Sequence, residues 1–141
     1  MAGGMVRSVT EDPDRVDVEM KVLIVESNAK LSDVWRRHLE RHGLTVSVTA
    51  GSDSAVALIS AVQFDVIVLN LVLKTGSALA VADYVQYRHP GTNVIFVTDT
   101  TFFSDGSIFS VTANARALIQ TGTPPEDLAA MVEHFGAAPA T

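Results

Sequence analysis

Two short runs with no polar residue in them, Val22-Leu23-Ile24-Val25 and Val66-Ile67-Val68-Leu69, constrain this chain more than any other feature. A strand with one wet face alternates apolar and polar residues, whereas an unbroken apolar run suits a strand covered on both faces. Such strands belong to parallel sheets, whose crossovers lay helices on each side. Helical signals do follow the runs. Ser27 or Asn28 can cap a helix whose apolar positions are Leu31, Val34, Trp35 and Leu39, and Gly43 suits its C-terminal stop. Leu44 to Val48 reads as a second strand, rich in β-branched residues, and Ser52 or Asp53 opens a helix to about Val62. Asp65 to Leu69 is the third strand. Ser77 then caps a helix that must stop before Pro90.

Asn93 to Val97 and Ala115 to Ile119 supply the fourth and fifth strands. For the last helix, Thr123 and Glu126 have capping-box spacing, with Pro124 at the first helical position and Leu128, Met131, Val132 and Phe135 as the inward stripe. The expectation is an α/β domain: a five-stranded parallel sheet, doubly wound, in three layers. It covers residues 21–136, between a flexible N-terminal extension at 1–20 and a tail at 137–141. The extension carries five acids and two arginines without periodicity. Met1 to Gly4 reads as a cloning remnant, and Met20 as a candidate original start.

Composition narrows the function. The 141 residues suffice for one well-buried domain, with 48% hydrophobic and 18% charged residues. Without cysteine, there is no disulfide framework, thiolate metal site or cysteine nucleophile. A net charge of -6 argues against nucleic acid as a partner, since phosphate backbones reward dense positive charge. No apolar run approaches the ~20 residues that span a bilayer, and no signal-peptide h-region is present, so the expectation is a cytoplasmic protein without membrane contact.

In doubly wound sheets ligands bind beyond the carboxyl ends of the strands. Those ends carry Glu26-Ser27-Asn28, then Asn70 with the loop from Leu71 to Ser77, then Thr98-Asp99-Thr100, then Gln120-Thr121-Gly122. In order and spacing these segments resemble the receiver domain of two-component response regulators, a flavodoxin-like fold. Val22 to Asn28 resembles the family's first strand with its acidic pair, and Asp65 to Asn70 the strand that ends in the phosphorylated aspartate. Leu73 and Gly76 to Leu79 keep the register of the loop that follows. Val94 to Thr98 resembles the strand ending in the switch hydroxyl, and Pro125 to Leu128 the start of the final helix.

The resemblance implies an aspartate nucleophile, acidic side chains holding Mg²⁺, a lysine that neutralises the phosphoryl oxygens, and a Ser or Thr that follows the phosphoryl group. Against that pattern, the nucleophile position is Asn70, whose carboxamide forms no stable acyl phosphate. The acidic pair is Glu26 and Ser27. Thr121 takes the lysine position, and Gly122 the usual proline. Thr98 alone keeps its type. Glu26, Ser27, Asn70, Thr98 and Thr121 thus form an altered phosphorylation pocket. No catalytic residue and no cofactor are expected, and Mg²⁺, which wants one or two carboxylates plus phosphate oxygens, is expected to bind weakly or not at all.

The expected function is that of a stand-alone receiver-like signalling protein, not an enzyme. It is not phosphorylated at the usual site, and it acts by docking a protein, either a signalling partner or a second copy as a homodimer. Small-molecule binding in the vacated pocket is the alternative, and drift in a domain kept as a scaffold is the plain explanation of the losses. A flavin- or nucleotide-dependent enzyme is a third reading, weakened by the lack of a phosphate loop. The stretch from Thr100 to Asn114 takes the place of the family's fourth helix but is rich in Ser, Thr, Gly and aromatics. Phe102, Phe103, Ile108 and Phe109 are its candidate partner face, with core packing the rival reading.

His38 and His42 share a helical face at a spacing that can hold a metal. The HExxH glutamate is absent, since Leu39 follows His38, and solvated histidines are the expected meaning. Lys30, Arg37 and Arg41 line another face, which suits either solvent or an acidic partner. His89 and His134 have no carboxylate or nucleophile placed by sequence to make a triad.

Overall fold

The computed structural model describes residues 20–99 and 115–137. The chain runs β1 (Lys21–Val25), α1 (Ala29–Arg41), β2 (Thr45–Thr49), α2 (Ser52–Ala61), β3 (Val66–Asn70), α3 (Ala78–Arg88), β4 (Asn93–Thr98), β5 (Ala115–Gln120) and α4 (Pro125–Gly136). All strands are parallel in the order β2-β1-β3-β4-β5. The region from 100 to 114, with Phe102, Phe103, Ile108 and Phe109, lies outside the described residues, as do residues 1–19 and 138–141.

Strand alternation explains the unbroken apolar runs. Leu23, Val25, Ile67, Leu69, Val94 and Phe96 face one layer, with Ala55 and Ile59 of α2 and Val81, Ala82 and Val85 of α3. Val22, Ile24, Val66, Val68, Ile95 and Val97 face the other, against Trp35 and Leu39 of α1 and Leu128, Ala129 and Val132 of α4. Period-2 geometry sends neighbours to opposite faces, so a strand between two helix layers needs apolar residues at every position. β3 and β4 are buried throughout, while the edge strands β2 and β5 are only partly covered. The expected three-layer α/β sandwich is present.

Most helix ends follow the expected chemistry. The Asn28 side chain accepts from the backbone N–H groups of Lys30 and Leu31, and Ser77 accepts from Ala80. Gly43 follows α1 at φ 85°, a left-handed conformation that any Cβ would strain.

Two ends differ from expectation. Helix α2 starts after Gly51 as N-cap rather than Ser52 or Asp53, and it ends at Ala61 with Val62 as its C-cap, where expected. A Cβ at Gly51 would stand 2.3 Å from the Thr75 hydroxyl, so a side chain there requires that exposed threonine to turn away. In α4, Thr123 and Glu126 make no capping box. Pro124 is the N-cap, Pro125 is the first helical residue, and no side chain caps the helix. Pro124 sits at ψ 138°, outside the helical region, yet its carbonyl accepts from Asp127 and Leu128. Of two adjacent prolines, the second takes the first helical position because the residue before a proline is biased away from helical backbone. Thr123 therefore falls one residue too early and closes a turn onto the Gln120 carbonyl instead.

Candidate functional site

Parallel pairing brings the site together. In the β1–β3 register Val25 faces Leu69, so the next residues, Glu26 and Asn70, leave adjacent strands side by side. Both are buried, with 4% and 8% of their surface exposed. The Asn70 amide nitrogen Nδ2 donates to Glu26 Oε1 at 2.6 Å, and the backbone N–H of Asn28 donates to Glu26 Oε2 at 2.9 Å. The Asn70 oxygen Oδ1 accepts from the backbone N–H of Val72 at 2.9 Å. Each oxygen of this buried carboxylate thus has a donor, which is the condition under which burial of a charge is tolerated.

Ser27 does something different. Its hydroxyl donates to the Ala50 carbonyl at 2.8 Å and accepts from the backbone N–H of Lys74 at 2.9 Å. One side chain therefore ties the loop after β3 to the loop after β2. The same two loops touch again where the Ser52 N–H donates to the Thr75 carbonyl at 3.3 Å. Gly76, at φ 83°, lies over Ser52 so closely that a Cβ would stand 1.6 Å from its hydroxyl oxygen.

An open cleft of about 310 Å³ lies above these groups. Glu26, Ser27, Asn70 and Thr121 line it, as the strand-end reading places them. Thr98 does not line it. This residue is 2% exposed at the end of β4, and its carbonyl accepts the Thr121 N–H at 2.9 Å. Lys74 and Asp99 do line the cleft, and neither was singled out by sequence. Lys74 is an exposed residue of the loop after β3, while Thr121 takes the position where the family resemblance implies a lysine. Lys74 and Asp99 could both have been found as the charged residues nearest the ends of β3 and β4.

The family resemblance implies Mg²⁺, and the donor set bears on its fit. Among the described residues of the cleft only Glu26 offers a buried carboxylate, and both its oxygens already accept hydrogen bonds. Among the described residues, no group of three or more His, Cys, Asp or Glu comes together to hold a metal ion. His38 and His42 do share a face, their ring centroids 5.3 Å apart. Arg41 contacts His38 Nδ1 at 3.3 Å, and His42 Nδ1 lies 3.7 Å from Glu133 of α4. His89 Nε2 meets the Ile59 carbonyl at 3.0 Å, and the ring of His134 packs edge-on to Phe135. Among the described residues no helix is long and apolar enough to cross a membrane.

Comparison with known proteins agrees with the fold. The response regulator receiver domain model matches residues 22–133. A CheY-like response regulator receiver domain from Methanospirillum hungatei JF-1 superposes with a TM-score of 0.77 at 23% identity, over 85% of this chain and 95% of that one. The N-terminal domain of a response regulator/sensory box/GGDEF protein from Carboxydothermus hydrogenoformans gives 0.73 at 25% identity, over 83% and 94%. The receiver domain of a sensor histidine kinase from Pseudomonas aeruginosa PAO1, solved with magnesium in its active-site cleft, gives 0.75 at 14% identity, over 86% and 100%. The comparison with curated proteins gives no match. With the matched region spanning the whole sheet and the helices around it, the chain belongs to the response regulator receiver domain family of two-component signalling.

Proposed function

We propose that this receiver domain carries no phosphoryl group at residue 70 and signals by docking a protein partner. One observation carries the reading: the side chain at the end of β3 is a carboxamide with both ends engaged, Nδ2 on Glu26 and Oδ1 on the Val72 N–H. An acyl phosphate needs a free carboxylate oxygen as nucleophile, and a neutral amide supplies none. The occupied Glu26 oxygens support weak Mg²⁺ retention, and the Ser27 bridge supports loops held together without a metal. Receiver domains are in general signalling domains rather than enzymes and interact with signalling proteins such as kinases. A kinase-side or receiver-side protein, or a second copy of this chain, is the class of partner this reading names.

Incubation with a small-molecule phosphodonor and Mg²⁺, followed by intact-mass measurement, tests the reading. The expected result is no mass gain, and a stoichiometric gain of one phosphoryl group on the folded protein would overturn it. The cleft lined by Lys74, Asp99 and Thr121 favours a second reading, a small polar ligand held where a phosphoryl group would sit. A ligand at 100 times its Kd adds about 2.7 kcal/mol of stability, so a thermal-shift screen with metabolites and nucleotides separates the two readings.

A further inference from the structure

Strand β2 is an edge of the sheet, and no strand lies on its outward side among the described residues. Its pairing with β1 fixes which backbone groups point there. The Thr45 N–H donates to the Met20 carbonyl at 3.0 Å, and the Thr49 carbonyl accepts from the Glu26 N–H at 3.0 Å. Residues 45, 47 and 49 therefore turn their N–H and C=O groups towards β1. Alternation along the strand turns those of Val46 and Val48 the other way, out to the free edge. The edge is open: Thr45 is exposed, and 38% of the Val48 surface is accessible.

Exposed edges are ordinarily blunted by charge, proline or a bulge. The opposite edge, β5, follows that rule, with Arg116 in the strand and a shift of register between Val94 and Ile95 of β4. β2 does not. Thr45-Val46-Ser47-Val48-Thr49 has no charge and no proline, and its register with β1 is unbroken. It also reads the same in both directions. Two copies laid antiparallel about a two-fold axis at Ser47 therefore set Thr45 opposite Thr49, Val46 opposite Val48 and Ser47 opposite Ser47. Hydrogen-bonded and non-bonded pairs alternate along such a ladder. The outward groups belong to the valines, so both valine pairs are of the bonded kind. Every outward N–H of one copy then meets an outward carbonyl of the other. The charges are complementary too, since N–H dipoles face C=O dipoles and no ionised side chain of the strand opposes its own copy. Val46 packs against the layer that holds Trp35 and Leu39, and Val48 lies on the same face. Pairing thus lays the Val46 side chain of one copy beside the exposed Val48 of the other.

We infer that β2 pairs with the β2 of a second copy of this chain, antiparallel about Ser47, so that two five-stranded sheets join into one. The contact is isologous and closes on itself, because it uses up the free β2 edge of each copy. It goes beyond the docking reading by naming a surface and its occupant. It also stands apart from that reading: a phosphoryl group gained at residue 70 would sink the one and leave the other.

Sedimentation equilibrium of the full chain over a concentration series is the first readout, and a species of twice the chain mass is expected. Each copy carries a net charge of -6, so added salt should strengthen the association rather than weaken it. Val48→Pro removes an outward N–H that β1 does not use, so the monomer should stay folded by circular dichroism while the association is lost. Val48→Lys, which places a charge against the facing strand, should weaken it at least tenfold. The chain has no cysteine, so single thiols report the register. Ser47→Cys puts two thiols on the axis at a Cα separation of about 4.5 Å, which a disulfide spans. The residues at position 45 of the two copies stand about 13 Å apart along the strands. Under a mild oxidant, Ser47→Cys should therefore form a covalent dimer at least tenfold faster than Thr45→Cys, although residue 45 is the more exposed. A monomer mass that persists to about 1 mM would overturn the inference. So would a dimer that survives Val48→Pro, or thiols at residue 45 that couple as fast as those at residue 47.

Discussion

Replacing Asn70 by aspartate is the sharpest perturbation available, because the two side chains have nearly the same shape and only the charge and the donor change. In the wild type, Nδ2 of Asn70 donates to Glu26 at 2.6 Å, with both residues buried. An ionised aspartate at residue 70 would set two carboxylates against each other there. Taking their charge centres as about 4 Å apart and an effective dielectric of about 20, the repulsion is about 4 kcal/mol. The alternative is to hold a proton between them, which lifts one carboxyl above the ordinary range. Holding that proton at pH 7 from a reference of about 3.9 also costs about 4 kcal/mol, at 1.36 kcal/mol per pH unit.

The two routes give the same size of effect, a large share of the roughly 5–15 kcal/mol that stabilises a typical domain. The sign follows from linkage. A folded-state pKa raised above the unfolded value leaves stability intact below about pH 4 and removes about 1.4 kcal/mol per unit as the pH rises from there towards the folded pKa. Urea unfolding of wild type and Asn70→Asp in metal-free buffer, at several pH values, measures this directly. With an m-value of about 2 kcal/mol/M, the midpoint should fall by about 2 M at pH 7 and recover near pH 4. The double change Glu26→Gln with Asn70→Asp exchanges donor and acceptor and should restore most of the loss. An unchanged midpoint at pH 7, or a loss independent of pH, would refute the charge argument.

Three further outcomes follow from single contacts. Ser27→Ala removes both the Ala50 and the Lys74 hydrogen bonds and should cost about 1–2 kcal/mol in chemical denaturation, with faster amide exchange at Lys74. Gly76→Ala combines a φ of 83° with a Cβ placed 1.6 Å from the Ser52 hydroxyl, so a loss of at least about 2 kcal/mol is expected and should appear as a lower Tm. The Asp33 carboxyl is held below its ordinary value, first by the hydrogen bond from Arg36 and then by the charges of Arg37 and Arg36. The stability this gives is present above the unfolded pKa and is lost as pH falls through the folded one. Asp33→Asn should therefore unfold more easily than wild type at neutral pH, by a small amount given the exposure of the pair, and the gap should close in acid.

The sheet was legible because burial on both faces leaves a signature that neighbouring residues carry themselves. Val22 to Val25 and Val66 to Leu69 have no polar break, and both turn out to be central strands. Asn28, Gly43 and Ser77 were legible for a related reason, since each cap acts on residues within one turn. The α4 start was misread: Pro124 precedes another proline, which biases it away from helical backbone, so the first helical position falls to Pro125. Gly51 was missed as a cap because it caps without a side chain, and its one tight neighbour is Thr75, far along the chain. In the site, strand ends located Glu26, Asn70 and Thr121, but the Glu26–Asn70 bond joins residues 44 apart and exists only through the β1–β3 register. Lys74 lies in the strand-end loop that sequence already pointed to, but its backbone bond to Ser27 joins residues 47 apart, a contact no local pattern announces.

The residues of this pocket depend on one another, and that dependence bears on how the site could change. Glu26 is tolerable as a buried carboxylate because Asn70 and the Asn28 N–H donate to it; a second acid at residue 70 removes one donor and adds a like charge. Ser27 satisfies the Ala50 carbonyl by donating its hydroxyl proton, and an aspartate there would turn an acceptor towards that carbonyl. Each acid introduced alone thus breaks a bond that another residue needs. Introduced together beside Glu26, they would gather three carboxylates whose repulsion a cation would offset. Either aspartate alone should therefore be destabilising, and the pair should regain stability only when Mg²⁺ is supplied. A double-mutant cycle on Ser27→Asp and Asn70→Asp, run with and without Mg²⁺, measures that coupling. Strict additivity in both conditions would mean that the two positions are energetically independent.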